Sequence, residues 1–362
     1  MRKNKLLVGT AKGLVLFERK QEDWKPTQVS FKGMTISAFH FDALKNIWWV
    51  GIFHKHWGQK IYISKNEGKD WEMVSTPLYP EGAKLSDGKP ASLRKVWTIG
   101  QSNPENGERI WLGTQPGALF YSDDYGKSFN LSEGLWNLPS RSQSDQWFGA
   151  GGNQPFIHTV AVDPRDQNHL YIAVSSAGVF ETWDNGSSWK PCNNGLVAAF
   201  LPNPNVEIGH DPHRLIICKA DPNVIWQQNH CGIFRSTNGG KDWDNVTDKN
   251  GLADYGFALA IDHENPERAW VIPLRSDVER IPIDLALCVC RTENGGKDWV
   301  ALRTGLPQAY CFDIVFRHSF DINKNELVFG TTTGNVYLSN NFGDSWTMLS
   351  SSLQRIENIT FV

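Results

Sequence analysis

Short apolar runs closed by Gly or a polar residue recur along the whole chain. Examples are Lys5-Leu-Leu-Val-Gly9, Leu14-Val-Leu-Phe17, Trp48-Trp-Val-Gly51, Ile110-Trp-Leu-Gly-Thr114, Leu170-Tyr-Ile-Ala-Val174, Ala258-Leu-Ala-Ile-Asp262 and Val328-Phe-Gly-Thr331. Short runs rich in β-branched and aromatic residues, bounded by turn formers, read as strands. The polar segments between them repeat one pattern: Ser or Thr, any residue, Asp or Asn, any residue, Gly, two residues, then an aromatic. The copies begin at Ser64, Ser122, Thr182, Ser236, Thr292 and Ser339, and a degenerate one, Glu18 to Trp24, keeps only the aromatic. The closing aromatics Trp24, Trp71, Phe129, Trp189, Trp243, Trp299 and Trp346 stand 47 to 60 residues apart.

A period of that size belongs to propellers and solenoids. The motif is a hairpin turn: the hydroxyl and the carboxylate or carboxamide oxygen bond nearby backbone, and Gly takes a left-handed position. Asn replaces Asp freely, so only the shared oxygen is needed, which argues against catalysis at the turns. Four strands per repeat predict an all-β, seven-bladed β-propeller of four-stranded antiparallel blades, one domain over 1–362. Arg355 to Val362 reads as a lone first strand that closes the ring by pairing with the N-terminal blade.

The turn motifs and the Pro-rich first-to-second turns fall on one face. Long irregular loops, near 76–95, 130–157, 190–213 and 273–286, fall on the other, where a rigid scaffold presents function. Trp57, Trp97, Trp136 and Trp147 map there, and aromatic faces in a cleft stack on sugar rings. So do His54, His56, His158, His210, His213 and His230, whereas His40, His169, His263 and His318 fall at solvated turns. Three His with water, or two His with Asp211, suit a divalent cation such as zinc. Asp211, between His210 and His213, is the candidate acid/base, and Glu207, Asp145, Asp254 and Asp277 are further carboxylates of that face. Gln115 and Gln228 complete the expected ligand-binding set with Trp57, Trp97, Trp147 and the six His.

The turn motif resembles the Asp-box, or BNR repeat, of sialidases and related propellers. The whole chain resembles bacterial BNR-repeat glycosyl hydrolases, also called exo-alpha-sialidase-like proteins. The resemblance rests on Val8-Gly-Thr-Ala-Lys-Gly-Leu14, His54-Lys-His-Trp-Gly58, Gly113-Thr-Gln-Pro116, Gly209-His-Asp-Pro-His213, Gln227-Gln-Asn-His230 and Gly330-Thr-Thr-Thr-Gly334. It is more distantly similar to the propellers of xyloglucan-cleaving enzymes and of photosystem assembly factors. The resemblance implies a glycoside-hydrolase-like propeller acting on or binding a carbohydrate at its loop-rich face. The alternative is a non-catalytic binding or assembly scaffold for a protein or glycan. Sialidase chemistry needs an Arg triad, a Tyr–Glu nucleophile and an Asp; Arg94, Arg141 and Arg275 form no such motif, and Gln115 stands where related chains carry Glu.

Charge and composition narrow the partners. Lys and Arg total 36 against 39 for Asp and Glu, a net charge of −3 that does not suit coating nucleic acid or an anionic membrane. No apolar run is long enough to span a bilayer. Six Cys without a Cys-x-x-Cys spacing argue against a disulfide framework and set the expectation of a reducing, cytoplasmic home. The partner expected is a small molecule or carbohydrate, with a protein partner left open.

Overall fold

The computed structural model describes residues 3–21, 23–85, 88–103, 108–143, 145–149 and 154–362. Seven four-stranded antiparallel sheets follow one another along the chain. The first contains β1 (Lys5–Thr10), β2 (Gly13–Lys20) and β3 (Asp23–Ser30). The second runs through β4 (Thr35–Asp42), β5 (Ile47–His54), β6 (Gly58–Ser64) and β7 (Glu72–Val74). The third has β8 (Lys95–Ser102), β9 (Arg109–Gln115), β10 (Leu119–Ser122) and β11 (Asn130–Leu131), followed by the short helix α1 (Glu133–Trp136). The fourth has β12 (Phe156–Asp163), β13 (Asp166–Ser175), β14 (Gly178–Thr182) and β15 (Lys190–Pro191). The fifth has β16 (Pro212–Ile217), β17 (Ile225–Asn229), β18 (Gly232–Ser236) and β19 (Asp244–Asn245). The sixth has β20 (Gly256–Ile261), β21 (Ala269–Pro273), β22 (Val289–Thr292) and β23 (Val300–Leu302). The seventh has β24 (Phe320–Asn323), β25 (Glu326–Gly330), β26 (Val336–Ser339) and β27 (Thr347–Ser350). The last strand, β28 (Ile356–Phe361), completes the first sheet by pairing antiparallel with β1, Leu6 opposite Phe361 and Thr10 opposite Ile356. This is a seven-bladed β-propeller closed by its C-terminal strand.

Contacts group the chain into two units. One takes residues up to 36, 213–239 and 243–362, and so the first, fifth, sixth and seventh sheets. The other takes 37–212 and 240–242, and so the second, third and fourth. Among the described residues no helix is long and apolar enough to cross a membrane.

The turns form as their residues require. In the turn after β10 the Ser122 hydroxyl donates to Asp124 Oδ1 at 2.8 Å and accepts from Gly126 N–H at 2.8 Å, while Ser128 N–H donates to Asp124. The same set recurs at Thr182, Asp184, Gly186 and Ser188, and at Thr292, Asn294, Gly296 and Asp298. Gly126 and Gly186 have φ of 81° and 87°, and the residue before each is left-handed as well, Tyr125 at 58° and Asn185 at 53°.

These glycines also admit a neighbour. A Cβ on Gly186 would lie 2.7 Å from Cη2 of Trp111, and one on Gly126 3.2 Å from Cη2 of Trp49. Trp49 on β5 and Trp111 on β9 are fully buried. The second strand of one sheet thus drives an indole against the turn of the next. Burying roughly 200 Å² of indole at about 25 cal/mol per Å² stabilises by about 5 kcal/mol before conformational entropy is counted. The degenerate first copy is also a hairpin, with Gln21 at φ 58° joining β2 to β3.

Candidate functional site

Within the first unit, the start of β16, the β17–β18 hairpin and the entry to β20 bring together His213, His230, Tyr255 and Phe257. The His213 and His230 ring centroids are 5.8 Å apart, and each ring meets Tyr255 edge-on at 5.6 Å. Phe257 lies 4.6 Å from His213, beneath the guanidinium groups of Arg280 and Arg317. Arg317 Nε donates to the His213 carbonyl at 2.9 Å, which ties the backbone of β16 to this group. His213 Nδ1 donates to the carbonyl of Gly256 at 2.6 Å. The proton is therefore on Nδ1, and Nε2 is the nitrogen able to accept or to ligate, the orientation that a carbonyl partner gives metal-binding imidazoles. His230 Nε2 approaches Asp277 Oδ2 at 3.5 Å, with both side chains partly exposed.

A second carboxylate of this unit adjoins the group. Asp254 precedes Tyr255, and Gln228 Nε2 grips its carbonyl at 2.8 Å while also donating to the carbonyls of Asn229 and Gly232. The bare backbone of Gly232 lies beside the Asp254 carboxylate. Partial desolvation holds the Asp254 carboxyl above the usual carboxylate range. Gln228 is thus fully buried and works as a clamp on backbone.

In the second unit the expected residues fall into separate places. His54, His56 and Trp57 form the hairpin between β5 and β6. His54 Nδ1 accepts from the backbone N–H of His56 and Trp57, and the Trp57 ring is 72% exposed. Trp97 is not open to a ligand on either face: it stacks on Phe156 at 4.1 Å, and Lys95 Nζ lies 3.7 Å over the ring. Its Nε1 donates to Gln115 Oε1 at 3.2 Å. Trp147 is core, packed on Phe180, and Trp136 packs on Tyr79. His158 is fully buried, its Nε2 donating to the carbonyl of Pro212 at 2.8 Å and its Nδ1 bonded to Thr159 Oγ1. His210 is likewise buried and donates to Val206 O. Asp211 accepts on Oδ1 from the Ser175 hydroxyl at 2.8 Å and from Ser176 N–H at 3.0 Å, a donor set that favours the charged form.

One expectation needs correction. His169 is not solvated: it is 1% exposed, sandwiched under Trp183 at 3.5 Å between Asp163 and Glu181. Burial also pushes His40 and His263 down, the latter to about 4. His40 and His169 stand within β4 and β13 rather than in turns, and His40 bonds Gln101 on β8, which a turn-by-turn reading does not reveal. Arg141, which belongs to no Arg triad motif, donates to the carbonyls of Trp136 and Gly117, and desolvation lowers it to about 10.

The second unit also carries a cleft of about 730 Å³ in the loop after β15. Glu181, Lys190, Asn193, Asn194, Glu207 and Lys241 line it, over the buried thiol of Cys192, which burial pushes up. Sequence reading placed a functional loop at 190–213 without this cleft. It also passed over Tyr255 and Phe257, whose spacing of two along a strand entry was the available signal.

No family model matches the chain. It is 23% identical over 266 residues to the oligoxyloglucan-reducing end-specific xyloglucanase of Emericella nidulans, covering 66% of this chain and 30% of that one. The chain thus spans about a third of that relative's length. Among solved structures it is similar to the GH74 xyloglucanase of Xanthomonas campestris, with a TM-score of 0.64 and 17% identity over 97% of this chain and 53% of that one. It is also similar to YCF48 bound to D1 peptide, with a TM-score of 0.55 and 15% identity over 93% of this chain and 89% of that one. These likenesses to solved structures are likenesses of the propeller fold.

Proposed function

We propose that the chain acts on a β-glucan-type or related oligosaccharide as a glycoside-hydrolase-like propeller, with Asp254 as proton donor and Asp277 as the second carboxylate. What carries the reading is Asp254: its backbone is clamped by Gln228, and partial desolvation holds its carboxyl above the usual range. A glycosidase acid needs that property, while its partner stays ionised. His230 and Arg280 then position substrate hydroxyls. His213 Nε2 with His230 is the place where a divalent cation would be sought. Asp211, whose two donors favour the carboxylate, suits a fixed negative charge better than a proton donor. The xyloglucanase names of the relatives supply the substrate class to try first. Six free thiols agree with a reducing compartment.

The test is hydrolysis of xyloglucan oligosaccharides and an aryl-glycoside panel by wild type, Asp254→Asn, Asp277→Asn and Asp211→Asn. The expected loss for Asp254→Asn is about 100-fold or more in kcat with the fold intact. An active wild type with a fully active Asp254→Asn removes this assignment. A wild type that binds oligosaccharide or peptide without turnover establishes the second reading, a binding propeller. That reading is favoured by the likeness to a peptide-bound propeller over nearly the full length of both chains.

A further inference from the structure

The cleft of about 730 Å³ in the second unit is built from three pieces of chain. β14 and β15 give it Glu181 and Lys190, the loop after β15 gives residues 192–196 and 205–207, and segment 240–242 gives Lys241. Two neighbouring carboxamides hold these pieces together. Asn193, 5% exposed, accepts from Val179 N–H at 2.8 Å and donates to the Glu207 carbonyl at 2.9 Å. Asn194 donates to Asp242 Oδ1 at 2.5 Å. The chain that carries Glu207 and the chain that carries Lys241 are thus moored to adjacent residues. Backbone bonds stiffen the loop between, Leu196 N–H to the Asn193 carbonyl at 3.0 Å and Ala198 N–H to the Pro204 carbonyl at 2.8 Å.

The charges in the cleft sort into one closed pair and two open groups. Glu181 spends both oxygens inside the protein: Oε1 pairs with Lys190 Nζ at 3.1 Å, and Oε2 takes His169 Nε2 at 3.3 Å and Trp183 Nε1 at 3.2 Å. Among the described residues, the Glu207 carboxylate and the Lys241 ammonium are in no ion pair, with each other or with a third group. Both are exposed. Opposite charges that line one cleft without meeting leave room for a molecule that carries both signs. None of the lining residues is aromatic, so the cleft lacks the ring face on which a sugar or a base stacks. Its volume is that of sites for small molecules.

We propose that this cleft binds a small zwitterion of the amino-acid and short-peptide class, its ammonium group on Glu207 and its carboxylate on Lys241. The spare donors of the Lys190 ammonium and the Asn194 and Asn205 carboxamides serve the amide groups between the two ends. With Glu181 neutralised by Lys190, the cleft has no net charge, which disfavours a simple anion or cation relative to a zwitterion. The proposal goes beyond the oligosaccharide reading and shares no residue with Asp254, Asp277 or the ring group around Tyr255.

The experiment is calorimetric titration of the full chain with glycine, diglycine and triglycine, a series that spaces the same two charges progressively further apart. The N-acetylated amides of the same three molecules, which carry neither charge, are the controls. At least one zwitterion is expected to bind saturably, at least tenfold more tightly than its capped form, and to weaken as salt is raised. Glu207→Gln and Lys241→Gln, both at exposed positions, are expected to weaken it about fivefold each with the urea midpoint unchanged. Binding lost in these two variants and kept in Asp254→Asn is binding at this cleft, so the outcome is separate from that of the oligosaccharide assignment. No saturable binding by any of the three, equal binding of the capped forms, or equal binding by wild type and both variants overturns the proposal.

Discussion

The carboxylate of Glu326 lies 2.6 Å from the guanidinium of Arg19, and the two side chains are only 2% and 4% exposed. Arg19 comes from β2 and Glu326 from β25, so one ion pair ties the first sheet to the seventh. The Trp24 ring covers the guanidinium at 4.4 Å. Removing one partner strands a charge in a dry place. Glu326→Ala should therefore destabilise by about 3–5 kcal/mol, while the apolar pair Arg19→Met with Glu326→Leu should recover most of that loss. Urea unfolding checks both, and a Glu326→Ala protein within about 1 kcal/mol of wild type would contradict the account.

Acid should loosen the fourth sheet first. Desolvation alone would raise Asp163 and Glu181, but hydrogen bonds overcome it. Arg165 and His169 pull Asp163 below the usual range, and His169 with Lys190 does the same to Glu181. Carboxylates lowered in the folded state contribute stability above their unfolded values and lose it as pH falls through the folded ones. The urea midpoint should hold from pH 7 to about 5 and fall below about pH 4. His169→Phe keeps a ring under Trp183 and removes both nitrogens. It should cost about 2–3 kcal/mol at pH 7 and flatten the acid slope. An unchanged slope would mean that other groups set the acid limit.

A glycine pair separates backbone strain from crowding. Gly186→Ala meets both a left-handed φ of 87° and the Trp111 ring, and should cost about 2–4 kcal/mol. Gly82 has φ 75° with nothing within 4 Å of the place a methyl would take, so Gly82→Ala should cost only about 1 kcal/mol. Equal losses in a thermal melt would remove the crowding argument.

The propeller was legible because its signals are local. The hydroxyl of Thr182, the carboxylate of Asp184 and the N–H of Gly186 meet within five positions, so a motif read along the chain reports their geometry directly. The imidazoles were not legible in this way. His158 meets Pro212, 54 positions on, and His213 meets Gly256, 43 positions on. Whether such a ring faces solvent or a carbonyl depends on which strand lies opposite. The same holds for Trp97, whose two faces are taken by Lys95 and Phe156. His213, His230, Gln228 and Asp254 were all named from the sequence, but the clamp of Gln228 on the Asp254 backbone became visible only once β17 and the entry to β20 were adjacent.

The pairing of β28 with β1 sets a timetable for synthesis. As the chain leaves the ribosome, β1 to β3 appear first yet must wait for Ile356–Phe361 before their sheet is whole. Until then the apolar edge of β1, with Leu6 and Val8, is open to any passing strand. Nascent chains stalled before β28 should therefore be the species that chaperones hold and that aggregates recruit, and refolding should end with a slow step of high contact order.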